Sequence, residues 1–331
     1  MEATMTTPIR KIALEEHFGA TEPDIVEQSE THFTPQEWPR HRAMLLDIHD
    51  ERLALMDECA IEKSVLSLLS PGIQSLHDAP RAVDWARRLN DYAAARVAER
   101  PDRFAAFAAL PMQDPDAATA ELRRAVQDLG LVGALVNGFS QVGDAETVVY
   151  LDDPRYAGFW ATLEELGVPL YLHPRDPLES TSPQYDGHPW LYGSAWAFTV
   201  ETATHALRLM GSGLFDRHPG LQVILGHLGE VLPWVIWRVE HRLAVAPRGL
   251  DVRHGFGHYL RTNFHVTTSG NFRTPALLNT LQEIGADRVL FSADHPFEDM
   301  REAATWFDRL ELNDADLARI AHGNAERLLG L

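Results

Sequence analysis

Short apolar segments recur along the chain and alternate with longer segments in which the apolar residues have helical spacing. The short segments are rich in Val, Ile, Leu and Phe, and such continuous apolar runs are typical of parallel strands that are covered on both faces. Eight of them occur, at residues 11–17, 64–70, 104–110, 133–139, 169–175, 222–229, 264–270 and 288–296. Eight strands that alternate with helices form a closed (β/α)8 barrel, so we expect an α/β protein of this fold, with a single domain over residues 1–331.

Three of the intervening helices begin with the same kind of residue pair. Each begins with a capping side chain followed by a proline, which suits the first turn of a helix. These pairs are Asp114-Pro115, Asp153-Pro154 and Thr274-Pro275. Gly130 and Gly167 end the first two helices, as glycine commonly does. The repeated pattern supports an alternation of strands and helices.

An open doubly wound sheet is the competing architecture, but no glycine-rich phosphate-binding fingerprint follows the first strand. Two segments, 18–40 and 176–195, are longer than the simple alternation requires. Both follow predicted strands, so they are inserted loops at the C-terminal face of the barrel, where long loops act as lids or substrate walls. A role as surface or oligomer-contact loops is the equal alternative.

The composition excludes several classes of protein. Of the 331 residues, 45% are hydrophobic, which is enough for a large core and unlike a disordered chain. The formal net charge of −19 argues against binding to nucleic acid or to anionic lipid. Cys59 is the only cysteine, which excludes an intrachain disulfide and a cysteine-rich zinc site. No apolar run approaches the roughly 20 residues of a membrane span, and the start lacks the apolar core of a signal peptide, so we expect a soluble, cytoplasmic protein.

Residues of the kinds that bind metal ions stand at the ends of the first, fifth and eighth predicted strands. Glu15 and His17 end the first strand, and they point to the same face because side chains alternate, while Glu16 points away. His173 ends the fifth strand and Asp294 the eighth. Two imidazoles and two carboxylates at the barrel mouth suit Zn, Mn or a similar divalent ion. A structural histidine or a turn-capping aspartate explains each residue alone, but packing does not explain the four together.

His227 ends the sixth strand within the sequence GHLGE and is followed by Glu230 and Arg238. A histidine that is held by a nearby carboxylate serves as an acid, a base or a stabiliser of an oxyanion. Arg238 would either fix Glu230 or meet an anionic substrate. The alternative is a solvated glutamate at the start of a helix and a surface arginine.

Extended runs of the sequence resemble one group of enzymes. The runs are KIALEEHF, RPDRFAAFAALPMQDPDAATAEL, GALVNGFSQ, YLHPRDP, YDGHPWLYG, WAFTVETATHALRLM, GLFDRHP, ILGHLGE, NFHVTTSGNFRT and FSADHPFE. They resemble the amidohydrolase superfamily, in its non-hydrolytic branch that includes aminocarboxymuconate semialdehyde decarboxylase and the dihydroxybenzoate decarboxylases. Within that branch they are most similar to the γ-resorcylate (2,6-dihydroxybenzoate) decarboxylases. The resemblance covers nearly the whole chain.

The resemblance implies roles for the residues already named. One zinc, manganese or magnesium ion would be bound by Glu15, His17, His173 and Asp294. His227 and Glu230 would form the catalytic pair beside the metal ligands. Members of the group are typically homotetramers, so a homotetramer or a homodimer is expected.

Two comparisons with the superfamily refine this expectation. Hydrolytic members commonly hold two metals bridged by a carbamylated lysine on the fourth strand, and they begin with His-x-His. Here the fourth strand ends at Asn137 without a lysine and the first contains Glu-x-His, which argues against a bridged dinuclear hydrolase. His295 replaces a large aromatic residue of the γ-resorcylate group, and the 18–40 segment diverges from it. Both places are expected to line the substrate pocket, so they bear on the substrate more than on the reaction.

The expected reaction is the metal-dependent, non-oxidative and reversible decarboxylation of an ortho-hydroxybenzoate, foremost 2,6-dihydroxybenzoate, to resorcinol and CO2. The metal would chelate a carboxylate oxygen and the neighbouring phenolic oxygen. Asp294 would protonate the ring carbon and His227 would stabilise the developing charge, and no organic cofactor is needed. The residues expected to contact the substrate, with core packing as the alternative for the phenylalanines and the tryptophan, are Phe18, Trp196, Phe198, Arg238, His295 and Phe297.

Three alternatives stay open at this point. In the first, the enzyme is a decarboxylase of a related acid, such as 2,3-dihydroxybenzoate or salicylate. A mononuclear hydrolase of a lactone or amide would use His227 as the base for an attacking water. A non-catalytic scaffold would bind metal without turnover.

Overall fold

The computed structural model describes residues 8–22 and 24–331. Its strands are β1 (Lys11–Phe18), β2 (Ile61–Leu68), β3 (Phe104–Ala106), β4 (Ala108–Ala109), β5 (Ala134–Asn137), β6 (Ser140–Gln141), β7 (Val148–Val149), β8 (Leu170–His173), β9 (Val223–Leu225), β10 (Phe264–Thr267) and β11 (Val289–Leu290). Its α-helices are α1 (Trp38–Leu46), α2 (Glu51–Glu58), α3 (Ala79–Glu99), α4 (Pro115–Gln127), α5 (Ala157–Leu166), α6 (Ala197–Gly211), α7 (Leu214–Arg217), α8 (Leu232–Val245), α9 (Phe256–Asn263), α10 (Thr274–Ile284), α11 (Met300–Phe307), α12 (Asp314–Ala318) and α13 (Asn324–Leu329).

The parallel strands follow one another around a (β/α)8 barrel. One set has the order β1-β2-β3 and the other the order β4-β5-β8-β9-β10-β11. Only Phe107 separates β3 from β4, and its N–H donates to the carbonyl of Leu66 in β2, so these two pieces form one barrel strand. At the other edge the N–H of His17 donates to the carbonyl of His295 at 2.7 Å. This contact joins the end of β1 to the segment after β11 and closes the ring.

All eight predicted strands are confirmed, each within or overlapping its predicted range. The helix signals are confirmed in outline. The Asp114 side chain accepts hydrogen bonds from the N–H groups at the start of α4, and Gly167 ends α5 with a φ of 64°. In contrast, α10 begins at Thr274 itself and has no side-chain cap, whereas the sequence placed Thr274 at the capping position. The antiparallel pair β6–β7 was not predicted, because both strands are only two residues long.

Two of the apolar clusters in the described chain pack against the sheet. The larger one lies between the strands and the helices. The smaller one fills the barrel interior with side chains such as Ile12, Leu14 and Phe107, and residues of α13 pack against it. These interior apolar residues stand early in their strands, so the interior becomes polar toward the C-terminal ends of the strands.

A β-bulge in β1 sets which side chains enter the polar end of the barrel. The register of β1 against β2 shifts between Ala13 and Glu16. Ile12 and Leu14 belong to the interior cluster, and strict alternation would also send Glu16 inward. The extra residue reverses the alternation, so Glu15 points inward instead. The prediction that Glu15 and His17 share a face is confirmed, but the bulge supplies the direction.

Candidate active site

Four side chains from three strand ends form a buried cluster. Glu15, His17, His173 and Asp294 each offer a ligand atom, and these atoms all lie within 4.8 Å of one another. The His17 Nε2 atom lies 3.2 Å from Asp294 Oδ1, and the His173 Nε2 atom lies 3.1 Å from Glu15 Oε1. Parallel strands that end at one face of a barrel bring distant residues to one point, which is why residues 15 and 294 meet.

The donor set fits a divalent metal ion. Glu15 Oε1 and His17 Nε2 are buried without a hydrogen-bond partner, and both face the cluster. Orphaned buried polar atoms are costly unless something binds them. Two imidazole nitrogens and two carboxylate oxygens are ligands that Zn²⁺ or Mn²⁺ accepts. A cation between them would satisfy both orphaned atoms.

Neighbouring side chains orient these ligands. The hydroxyls of Tyr171 and Thr267 donate to Glu15 Oε2, which leaves Oε1 directed at the cluster. The Ser67 hydroxyl lies 3.2 Å from His17 Nδ1 and so leaves Nε2 for the cluster. Burial opposes ionisation of Glu15, but nearby His227 and His173 outweigh burial and hold the pKa of Glu15 below its usual value. The ionised form of Glu15 is therefore favoured, which suits a metal ligand.

Two glycines leave the space that the cluster occupies. A Cβ at position 226 would stand 2.9 Å from Glu15 Oε2. A Cβ at position 270 would stand 3.0 Å from Cδ2 of His227 and 3.3 Å from Asp294 Oδ2. Gly270 also has a φ of 58°, a conformation that glycine adopts without steric cost. Both positions therefore require the smallest residue.

His227 and Glu230 form a pair beside the cluster, as the sequence predicts. His227 Nδ1 lies 2.6 Å from Glu230 Oε1, and the hydroxyl of Thr199 donates to the other oxygen of Glu230 at 2.8 Å. The opposite ring nitrogen, Nε2, lies 3.4 Å from Asp294 Oδ2 and 4.0 Å from Glu15 Oε1. Burial opposes charging of His227, but the carboxylates of Glu230 and Glu15 raise its pKa well above the usual value. The protonated form of His227 is thus favoured, and its Nε2 atom points at the cluster.

The pair stands in an unusual backbone segment. All five residues from His227 to Val231 have φ between 51° and 86°, the left-handed region. Four of the five are not glycine, and such residues avoid this region because their Cβ meets the backbone carbonyl. Strain of this kind persists only where the surrounding structure holds it, and it is common at functional sites.

A cavity of about 220 Å³ lies in front of the cluster. Three phenyl rings line it, those of Phe33, Phe198 and Phe297, and the rings of Phe33 and Phe297 stack with their centroids 5.8 Å apart. Glu298 also lines it, and burial raises the pKa of Glu298 to about 7. The cavity therefore combines apolar walls with a polar floor, which suits a small aromatic acid.

Comparisons with known proteins place the chain in a family. A family model described as Amidohydrolase matches residues 29–331. The chain belongs to the amidohydrolase family. It is 53% identical over 323 residues to the γ-resorcylate decarboxylase of Rhizobium sp. (strain MTP-10005), covering 97% of this chain and 98% of that protein.

Solved structures of similar sequence have the same fold. One is a 2,6-dihydroxybenzoate decarboxylase complexed with 2,6-dihydroxybenzoate, with a TM-score of 0.95 and 53% identity, covering 97% of this chain and 99% of that one. Another is a dihydroxybenzoic acid decarboxylase from Polaromonas sp. JS666 with bound manganese and the inhibitor 2-nitroresorcinol. Its TM-score is 0.95 and its identity 51%, covering 97% of both chains. The predicted fold and the resemblance to the decarboxylase branch are both confirmed.

Two of the six expected substrate contacts in this amidohydrolase-family chain line the cavity, Phe198 and Phe297. Phe18 points outward from β1 and stacks on Tyr92 of α3, because the bulge that turns Glu15 inward turns residue 18 away. Trp196 is 47% exposed at the start of α6, and its ring does not line the cavity. Both therefore lie outside the cavity.

The other two expected contacts also lie elsewhere. Arg238 is exposed on α8 and has no contact with Glu230 among the described residues. His295 is buried, and it lines a separate cavity with residues of α1 and α2. Its carbonyl accepts a hydrogen bond from the backbone N–H of His17 at 2.7 Å. His295 therefore does not stand in for an aromatic wall of the cavity.

Several lining residues were not singled out from the sequence. They are His32, Phe33, Ser70, Ser194 and Glu298. The first two lie in the 18–40 segment and Ser194 in the 176–195 segment, so both inserted loops contribute to the cavity wall. Their position after barrel strands was the only available signal, because nothing in a loop sequence says which side chain turns inward.

None of the helices in the described part of the chain has the length and apolar character needed to cross a bilayer.

Proposed function

We propose that the chain is a metal-dependent carboxy-lyase that removes CO2 from an ortho-hydroxybenzoate without oxidation, with 2,6-dihydroxybenzoate as the preferred substrate and resorcinol as the product. One observation carries the proposal: four buried metal-type ligands, and a histidine that a carboxylate holds in place, converge at the floor of a cavity with three phenyl rings. The similarity to γ-resorcylate decarboxylases over nearly the whole chain supports it.

Glu15, His17, His173 and Asp294 would hold one divalent ion. The manganese in the Polaromonas neighbour favours Mn²⁺ over Zn²⁺ or Mg²⁺. When bound, the ion would supply a Lewis acid that neutralises the carboxylate and the ortho-hydroxyl oxygens of the substrate. No organic cofactor is part of the proposal, since the phenol ring itself accepts the electrons.

The protein side chains then carry out the proton transfer. The carboxyl group of Asp294 donates a proton to the ring carbon that bears the carboxylate, which forms a C–H bond and interrupts aromaticity. The C–C bond to the carboxylate breaks, its electron pair restores the ring, and CO2 leaves. His227, fixed by Glu230, stabilises the charge on the substrate oxygens. Solvent returns a proton to Asp294 after the product leaves.

The phenyl rings of the cavity hold the aromatic substrate. Phe33 and Phe297 are nearly parallel, at 11°, so together they offer flat surfaces against which a benzoate ring can pack. Phe198 closes the wall beside His227. A ring held in this way presents its carboxylate to the cluster, and this orientation lowers the entropy cost of reaching the transition state.

The test is a comparison of four acids with the Mn²⁺-loaded protein, in which CO2 release and resorcinol formation are both measured. We expect 2,6-dihydroxybenzoate to have the highest kcat/KM, salicylate and 2,3-dihydroxybenzoate lower values, and 4-hydroxybenzoate no turnover. The reason is that a para-hydroxyl lies too far from the carboxylate for both to reach one ion. Efficient turnover of 4-hydroxybenzoate would contradict the proposal. Hydrolysis of lactones or amides instead of decarboxylation would indicate a hydrolase. Metal binding without turnover of any of these compounds would indicate a non-catalytic scaffold.

Three further properties remain predictions of this proposal. The chain is expected to form one domain over residues 1–331, to act in the cytoplasm, and to assemble as a homotetramer or homodimer. For the assembly, the exposed side chains of Trp237 and Val245 on the outer face of α8 offer a contact surface.

A further inference from the structure

The proposed substrate carries a negative charge, and so does the protein. The formal net charge of −19 repels an anion at long range. The inner cavity itself is of mixed charge, because its described lining includes His227 and the carboxylates of Asp294 and Glu298 and no lysine or arginine. A locally positive route to the cluster would therefore aid an anionic substrate.

Two larger cavities adjoin the inner one. The first, of about 670 Å³, shares Phe297 and Glu298 with it. Five carboxylates line it against two arginines, Arg40 and Arg301, and Arg301 is already paired with Glu58 at 2.7 Å. The carboxylates that line it are Glu51, Glu58, Glu298, Asp299 and Glu302. This cavity disfavours an anion.

The second outer cavity, of about 570 Å³, has the opposite character. It shares Ser194, Phe198 and His227 with the inner cavity, so these side chains form the boundary between the two. Among the residues that the structure describes, no carboxylate lines it, and Arg273 is its only arginine or lysine. The Arg273 side chain makes no ion pair or hydrogen bond within the described chain, so its guanidinium is available to a ligand. Trp234, which is 78% exposed, adds an aromatic surface.

We propose that the carboxylate substrate reaches the active site through this second cavity, and that Arg273 is the residue that first binds it. The inference rests on the proposed function, since it requires an anionic aromatic substrate. A guanidinium binds a carboxylate with two parallel hydrogen bonds, and the ring of Trp234 can pack against the ring of the substrate. The bound acid then passes Phe198 and His227 to the inner cavity. Arg273 acts on capture and takes no part in bond breaking.

This role predicts a specific kinetic pattern. Arg273→Gln should lower kcat/KM for 2,6-dihydroxybenzoate by about tenfold or more at low ionic strength and leave kcat unchanged, because local electrostatic attraction raises capture by 10-fold to 10³-fold. The loss should shrink as salt is added, since salt screens the attraction in the wild type. Arg273→Lys should retain most of the effect, and Arg273→Glu should increase the loss. Inhibition by resorcinol, which is neutral, should be the same in all variants.

Arg301→Gln is the matched control, because it changes the net charge equally but stands in the acidic cavity. We expect it to leave kcat/KM within about twofold of the wild type, as for a surface charge outside the route. A larger loss in Arg301→Gln than in Arg273→Gln would assign the route to the acidic cavity and overturn the inference. Equal kcat/KM in Arg273→Gln and wild type, a loss that is independent of salt, or a fall in kcat would overturn it as well.

The inference and the proposed function fail in different ways. If the Mn²⁺-loaded wild type releases no CO2 from any hydroxybenzoate, the proposed function is wrong. The dissociation constant of 2,6-dihydroxybenzoate, measured by calorimetry for the wild type and the same variants, then tests Arg273 alone. A weaker, salt-sensitive binding in Arg273→Gln would still support the route, whereas unchanged or undetectable binding in all proteins would reject it.

Discussion

His227 and Glu230 are three residues apart in sequence, and the 2.6 Å contact between them holds one ring nitrogen while the other points at the metal-type cluster. Its Nε2 atom is 3.4 Å from Asp294 Oδ2. We expect His227, oriented by Glu230, to act on the substrate, while the four side chains of the cluster hold the metal.

His227→Asn should retain the metal and lose turnover by roughly 10²-fold or more, as is usual for groups that stabilise transition-state charge. Glu230→Gln should cost less, because Thr199 still holds the amide and the ring remains in place. Metal content by elemental analysis and kcat measure the two effects. If His227→Asn purified without metal, His227 would be a ligand and the division of roles would be wrong.

Gly226 tests the geometry of the cluster without removing any of its ligands. Gly226→Ala should lower metal affinity by at least about tenfold, because the new Cβ would stand 2.9 Å from Glu15 Oε2 and displace that carboxylate. Gly158→Ala in α5 is the control, since no atom lies within 4 Å of its Cβ position and alanine favours helix. Metal affinity is measured by competition with a chromogenic chelator. Equal metal affinities in the two variants would show that the carboxylate of Glu15 does not depend on the space left by Gly226.

At the scale of elements, the five left-handed residues between β9 and α8 are the most unusual segment of the fold. The segment turns the chain sharply after β9, and as a result His227 and Glu230 face the cluster while α8 packs outside the barrel. Its residues lose favourable backbone conformations, and contacts elsewhere hold them, such as the N–H of Leu228 donating to the carbonyl of Thr267 at 2.8 Å. The site thus carries a conformational cost that the rest of the barrel offsets.

Val231 offers a direct measure of this cost, because it is β-branched, has a φ of 60° and is 44% exposed. Val231→Gly should raise the free energy of unfolding by about 1 kcal/mol, as the left-handed conformation costs a β-branched residue more than glycine loses in chain entropy. Val235→Gly, inside α8, should lower it by about 1 kcal/mol. Urea denaturation of both variants gives the comparison. A similar loss of stability in both would contradict the strain argument.

At the scale of the whole molecule, α8 is apolar on both sides. Leu232 and Ile236 are buried against the barrel, while Trp237 and Val245 are 68% and 62% exposed. The spacing of these two exposed residues places them on one face of the helix. Exposed apolar patches of this kind mark interaction surfaces. This face is therefore the candidate contact for the expected assembly.

The wild type should elute with a mass that is a multiple of the 37.1 kDa chain in size-exclusion chromatography with light scattering. Trp237→Glu should shift the mass toward 37.1 kDa, because a charge would be buried at the contact. Trp190→Ser, in the 176–195 loop, is the comparison variant and should keep the oligomer. Dissociation of Trp190→Ser alone would assign the contact to that loop, and a monomeric wild type would remove the assembly prediction.

The sequence alone determined the barrel and the chemistry of its mouth. Strand segments are recognisable because continuous apolar runs are local patterns, and the C-terminal ends of parallel strands must meet at one face. Residues at those ends, such as His173 and Asp294, could therefore be placed together without coordinates. The pairing of His227 with Glu230 was also local, since only three residues separate them.

Tertiary structure alone decided the walls of the cavity. Phe33 and Glu298 enter it from segments without periodic structure, whereas Phe18 and His295 turn away, although both adjoin predicted metal ligands. The direction of Phe18 depends on one extra residue in β1, and the bulge forms only against the register of β2. Loop side chains take their direction from contacts with residues far away in sequence, so no local pattern encodes which of them face the substrate.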